Sequence, residues 1–190
     1  MEVSTIVILV IIGIVLMYGI TLYNNLVNLK HNVDKAWSNI EVLLKQRHDE
    51  LPKLVETCKQ YMEFEKDTLE RVIQARSAVF GAQQKGDIGA LGAAESQLRM
   101  GLGNLFAVAE AYPDLKANNN FTQLQNRISG LENSIADRRE FYNESVNVNN
   151  IRIEQFPDIV IARLFNFQSR DLLEFSEEEI RDVNVKELFS

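Results

Sequence analysis

Apolar positions along this chain fall into two regimes. In residues 3–29 no charged side chain occurs, and residues 6–20 are an unbroken run of aliphatics with Gly13, Met17, Tyr18 and Gly19. No polar stripe divides the run, as it would in a helix packed into a soluble core. Residues 5–23 rise about 28 Å as a helix, close to the ~30 Å hydrocarbon core of a bilayer. An isolated segment in lipid satisfies its backbone only as a helix, so this pattern predicts a transmembrane helix despite its β-branched content. Tyr18 and Tyr23 fall toward one end, where an amphipathic ring suits the headgroup region. A cleavable leader needs a basic start and a small-residue cleavage site. Met1–Glu2–Val3 has no base and residues 23–26 have no such site, so the anchor is read as retained.

The second regime is periodic. Leu22, Leu26, Leu29, Val33, Ala36, Ile40 and Leu43/Leu44 recur in helical steps of three and four. The stripe continues through Leu51, Leu54/Val55, Cys58, Tyr61/Met62, Leu69, Val72/Ile73 and Val79/Phe80, so the membrane helix is expected to run directly into a long soluble one. Pro52 removes a backbone donor and predicts a kink or short break near residues 49–51. Four glycines in residues 81–92 read as a loop, and a second helix is expected from Ala90 to Ala111. Tyr112–Pro113 ends it, because the residue before proline avoids the α region. Asn120, with Gln123 three positions on, reads as an N-cap with a capping-box partner. A third long helix then spans residues 121–155, Pro157 stops it, and residues 158–165 form a short amphipathic piece. The architecture implied is all-α: an N-terminal transmembrane helix continuing into an elongated antiparallel bundle of long helices. It divides into an anchor (residues 1–29), a helical domain (30–170) and an acidic tail (171–190).

Composition narrows the function. The chain has 190 residues, 3 prolines and 9 glycines, too few breakers for an all-β protein. Its net charge of −7 argues against a nucleic-acid partner. Much of that charge sits in the tail, where Asp171, Glu174, Glu177, Glu178, Glu179, Asp182 and Glu187 face only Arg181 and Lys186. The body is near neutral. Lys30, Lys35, Lys45 and Arg47 follow the anchor while Glu2 precedes it, so the positive-inside rule places the N-terminus outside and the body in the cytoplasm.

Candidate chemistry is sparse. Cys58, the single cysteine, lies on the apolar stripe as a small hydrophobe. His31 and His48 lack the Glu-x-x-His spacing of helical metal sites. Glu63, Asp67 and Glu70 alternate with lysine and arginine, the pattern of a solvated face. No G-x-S-x-G, P-loop or H-E-x-x-H motif occurs, and Gly101 and Gly103 read as a helix-approach site. No catalytic residue, metal or cofactor is therefore assigned, and no small-molecule substrate is evident. Trp37 is the candidate core anchor, expected to pack against the third long helix.

Four stretches carry a resemblance: LFAVAEAYPDLKANNNF (residues 105–121), NVDKAWSNIEVLLKQRHDELPKLVE (32–56), RREFYNESV (138–146) and QFPDIVIARLFNF (155–167). With the anchor, they make the chain closely similar to the LemA family over nearly its whole length. It departs in its acidic tail and at residues 118–120, where an acid is more usual in the turn. The resemblance implies a bacterial-type single-pass membrane protein with an all-α soluble bundle, N-terminus out and C-terminus in. It implies no established enzymatic activity; a relative in magnetosome-forming bacteria is linked to membrane organisation. The signature residues Tyr112, Pro113, Asp114, Lys116, Asn120 and Phe121 have two open readings: a turn that fixes helix pairing, or a presented docking surface. The expected function is a non-enzymatic scaffold at the inner (cytoplasmic) membrane. Its partners would be the bilayer, further copies of itself and an unidentified protein. A sensor or adaptor is the alternative, and an enzyme or metal protein comes last.

Overall fold

A computed structural model describes residues 3–174. Six helices run through them: α1 (Val3–Lys59), α2 (Lys66–Lys85), α3 (Ile88–Ala109), α4 (Pro113–Lys116), α5 (Asn119–Glu154) and α6 (Asp158–Leu164). The described residues contain no strand, and the all-α expectation holds. They form two compact units. One takes the residues up to Asn39 with Glu140–Asp171, the other Ile40–Arg139 with the described residues from Leu172 on.

In the first unit, the side chains of residues 3–12 and 14–18 are exposed on every face of α1. Burial begins at Leu22 and continues at Leu26, Val33 and Ala36, the stripe the periodicity predicts. Leu26 clusters with Ile153 of α5 and Ala162 of α6, with Ile161 and Phe167 packed alongside. Further along α1, the Trp37 ring lies 5.4 Å from that of Tyr142, so α5 runs antiparallel to α1 within this unit. The segment after α6 is tied back onto α5. Asn150 exchanges two 2.9 Å hydrogen bonds with the Arg170 backbone, and the Tyr142 hydroxyl donates to the Asp171 carbonyl at 2.9 Å.

In the second unit, Ile40, Leu44, Leu51, Leu54 and Cys58 of α1 are buried. So are Leu69 and Val72 of α2, Leu98 and Leu102 of α3, and Phe121 and Ile128 of α5. A β-carbon on Gly101 would stand 3.5 Å from Val72 Cγ2, an ordinary contact, and Gly103 faces open space, so neither glycine is required for α3 to approach α2. Gly92 is stricter: a β-carbon there would fall 2.3 Å from the Glu174 carbonyl oxygen. Only glycine lets the chain lie against α3 at that point, where Leu173 is buried. Residues 171–174 of the acidic segment are thus described; Glu177, Glu178, Glu179, Asp182 and Glu187 lie outside the described residues.

Three local expectations are corrected. Of the kink or short break expected near residues 49–51, the break does not occur, for α1 passes through Pro52 as one 57-residue helix and ends at Lys59. Proline removes the donor that would reach the carbonyl four residues back, at His48. Arg76 of α2 supplies the replacement, its Nε donating to that carbonyl at 3.0 Å. The loop expected at residues 81–92 shrinks to Gly86–Asp87. Gly86 ends α2 in the left-handed region at φ 66°, and Asp87 caps α3 by accepting from the Ala90 amide at 2.9 Å. The cap of α5 is Asn118 rather than Asn120. Its Oδ1 accepts from the amides of Asn120 (2.9 Å) and Phe121 (3.2 Å), which satisfies two of the unpaired donors of the first turn.

Candidate functional site

The signature connection is built around two buried apolar anchors, Leu115 in α4 and Phe121 in α5. Pro113 opens α4 at its first position, where a missing N–H costs nothing, and Tyr112 precedes it. The Tyr112 hydroxyl donates to Glu65 Oε1 at 3.3 Å, and Asn118 Nδ2 donates to the Tyr61 hydroxyl at 3.0 Å. The α3–α5 connection is therefore bonded to the α1–α2 turn, which includes Tyr61 and Glu65. Pro113, Asp114, Lys116 and Asn120 point outward, and Lys116 is paired with Glu110. Phe64, in the neighbouring turn, is 93% exposed. Of the six signature residues, then, Tyr112 and Phe121 are structurally engaged and the other four present themselves to solvent. Asn118 and Leu115, which hold the connection together, were not among the candidates. An asparagine three residues before the first apolar residue of the helix, Phe121, is the available signal for Asn118.

Trp37 is half-buried, its ring tilted 56° against Tyr142 of α5. Cys58 is fully buried, and burial pushes its thiol up to about 12. Thiolate is the nucleophile, so this group is inert at neutral pH. His48 stacks on Phe80 at 4.7 Å, and its Nε2 lies 2.6 Å from Arg76 Nη2. A guanidinium only donates, so Nε2 accepts and the ring is neutral. Partial burial and the Arg76 charge lower its pKa accordingly.

One buried polar cluster was missed. Arg47 is 1% exposed inside the second unit, with Nη1 donating to Glu132 Oε1 at 2.7 Å and Nη2 to Glu95 Oε1. Burial pulls the guanidinium pKa down; the two carboxylates outweigh that and leave it raised. The signal was in the periodicity. Arg47 falls between Leu44 and Leu51, Glu95 between Leu91 and Leu98, and Glu132 between Ile128 and Ile135. Each is a charge at an apolar register position, and such charges enter a core only when paired. Read from composition, Arg47 counted as a flanking positive charge; in the fold it is consumed inside the bundle.

In the first unit, the Tyr23 ring packs tilted against Phe165 (4.7 Å) and edge-on against Phe167 (5.9 Å). An open cavity of about 560 Å³ there has an apolar side (Tyr23, Val27, Phe165, Phe167) and a polar side that includes Lys30, His31 and Arg170. Among the described residues, α1 is the helix long and apolar enough to cross a membrane. Its most apolar window has a mean hydropathy of 2.8, and none of that window is buried.

Comparison with known proteins matches the LemA family model to residues 36–186. Protein LemA of Metamycoplasma hominis is 29% identical over 167 residues, covering 87% of this chain and 74% of that one. Magnetosome protein MamQ 2 of Paramagnetospirillum magneticum is 24% identical over 186 residues, covering 86% and 68%. Magnetosome protein MamQ of Magnetospirillum gryphiswaldense is 23% identical over 169 residues, covering 77% and 62%.

Proposed function

This chain belongs to the LemA family, and from that premise we propose that it is a membrane-anchored helical scaffold that self-associates at the cytoplasmic membrane. It acts by interaction rather than catalysis. The observation that carries the reading is a row on the outer face of α5: Phe141, Val148 and Ile151, all exposed. They are spaced seven and three residues apart, so they share one helical face. Single exposed apolar side chains are ordinary; an aligned row on a helix tethered to a plane is a contact surface. Anchoring raises the effective concentration of copies, so a weak lateral contact suffices. The orientation is N-terminus out. Lys30, Lys35 and Lys45 support it, whereas Arg47, neutralised by its carboxylate partners, adds nothing. The likeness to proteins named for the magnetosome supports a role in membrane organisation.

Full-length protein in mild detergent should run well above 21.7 kDa plus micelle. Phe141→Asp combined with Val148→Asp should reduce it to one copy while leaving helicity unchanged. A single-copy mass for the parent, both in detergent and in crosslinked native membranes, overturns self-association. A Ser4→Cys variant should react with an impermeant maleimide in intact cells; protection of that thiol overturns the orientation. A second reading, a one-to-one adaptor, is favoured by the exposure of Phe64 beside Pro113, Asp114 and Asn120.

A further inference from the structure

The outer face of α6 has the wrong solvent. A short helix on a soluble surface should be apolar inward and polar outward. In α6 the inward positions Ile161 and Ala162 pack with Leu26 and Ile153. The outward positions are apolar too: Val160 is 56% exposed and Leu164 73%. Phe156, in the turn that leads into α6, is 84% exposed, and Phe165, just after the helix, is 53% exposed. Val160 and Leu164, four residues apart, share one face of α6.

The height of this face along α1 is fixed by contacts. Tyr23, at the end of the apolar span, packs against the rings of Phe165 and Phe167. Leu26, three residues further, sits in the cluster with Ala162. At 1.5 Å per residue, α6 is held about 5 Å beyond the end of the span. Interfacial helices occupy that level, with their apolar face buried about 5–10 Å into the headgroup–acyl boundary.

We infer that α6 and its flanking phenylalanines form a second membrane contact, lying in the interface of the same bilayer that α1 crosses. The occupant of this face is lipid. The apolar surface is continuous with the membrane-spanning stretch of α1. Arg163 on α6 and Lys30 on α1 are exposed at the level where anionic headgroups would meet them. Asp158, the acid of α6, is withdrawn from that surface; it is buried and bonded to Arg152 at 2.9 Å. The inference rests on the anchor reading and extends it from a tether to a seat. The first unit would be held by two elements, and its tilt on the membrane restricted.

The test uses the full chain in vesicles of phosphatidylcholine and phosphatidylglycerol. One nitroxide at a time is attached at Val160→Cys, Leu164→Cys, Val15→Cys or Ser38→Cys. Cys58 stays in place, since its buried thiol does not label. The readout is accessibility to molecular oxygen relative to a water-soluble nickel chelate. Val15 reports the membrane interior. Ser38, exposed on α1 about 22 Å past Tyr23, reports water. The ratios at Val160 and Leu164 are expected several-fold above that of Ser38 and below that of Val15. Ratios equal to that of Ser38, with Val15 still high, overturn the interfacial seat and leave the anchor standing. A low ratio at Val15 overturns the anchor and the seat together. Shielding of Val160 and Leu164 from both probes means that protein, not lipid, covers the face, and also overturns the inference.

Discussion

The two ends of α1 solve the same problem in opposite solvents. Near its start, Ile6, Ile11 and Val15 are exposed on every side and no charge interrupts them. Toward its end, apolar side chains keep to one stripe, and even that stripe admits a charge at Arg47. The backbone is one continuous helix throughout. The difference teaches that helicity is not what distinguishes the ends; the medium accepting the side chains is. Lipid takes apolar groups at any azimuth, whereas water forces them to one side and lets a charge inside only with its partners.

The largest expected effect comes from removing the internal charge. Arg47→Met leaves Glu95 and Glu132 facing each other in the core and should destabilise the fold by about 3–5 kcal/mol, read from denaturant midpoints. Adding Glu95→Leu and Glu132→Leu should recover most of that loss. Failure to recover would mean that Arg47 contributes through packing rather than pairing.

The reverse operation is next. Ile11→Arg places a charge in the all-round apolar stretch and should cost about 2.5–3.5 kcal/mol of membrane insertion, read as the shift of protein from the membrane to the soluble fraction. Unchanged partitioning would make that stretch something other than a lipid-facing one.

Trp37 tests the ground between the two ends. A fully buried tryptophan replaced by alanine costs about 3–5 kcal/mol; a half-buried ring against Tyr142 should cost about 2 kcal/mol in Trp37→Ala. Its fluorescence should be partly quenched by acrylamide. Complete quenching with no change in melting would assign the indole to a partner instead.

The smallest effect is a pH dependence. The Cys58 thiol is raised from 9.0 to about 12 by burial, so on alkaline titration the unfolded state ionises first. Its stabilisation is complete below pH about 9 and lost as pH rises toward about 12. Cys58 should therefore resist a thiol reagent at pH 8 until denaturant is added, while a Gln60→Cys thiol reacts at once. Equal rates would show that the stripe is open at this point.

The fold was largely legible because its helices are long and their stripes regular. The anchor follows from an uncharged run with no polar stripe, and the run of α5 and its stop near Pro157 follow from periodicity plus one breaker. What misled were positions where a distant group changes a local rule. Pro52 reads as a break unless Arg76 is known to reach the orphaned carbonyl. Gly92 reads as a loop glycine, yet it is a helical residue made necessary by the Glu174 backbone. Asn120 has Gln123 as a capping-box partner in the sequence, yet Asn118 is the cap, because its Oδ1 reaches the Asn120 and Phe121 amides. The candidate connection at residues 112–121 was legible as a signature. Its attachment to Tyr61 and Glu65 was not, because no local pattern encodes a bond across about 50 residues. The Arg47 cluster was legible in principle, as three charges at three stripe positions. Each charge, taken singly, looks like surface.

The proline inside α1 has a further meaning. In an intact helix every interior carbonyl is engaged, so the outside of the rod is featureless to a hydrogen-bond donor and a neighbour can slide along it in small increments. Pro52 cuts a single notch. The freed oxygen of His48 is a fixed axial coordinate, and the guanidinium of Arg76 is the pin that drops into it. α2 is thereby indexed against α1 like a rule against a mark. A slip of one turn in either direction withdraws the pin and leaves the notch empty, so the alignment of these helices is discrete rather than graded.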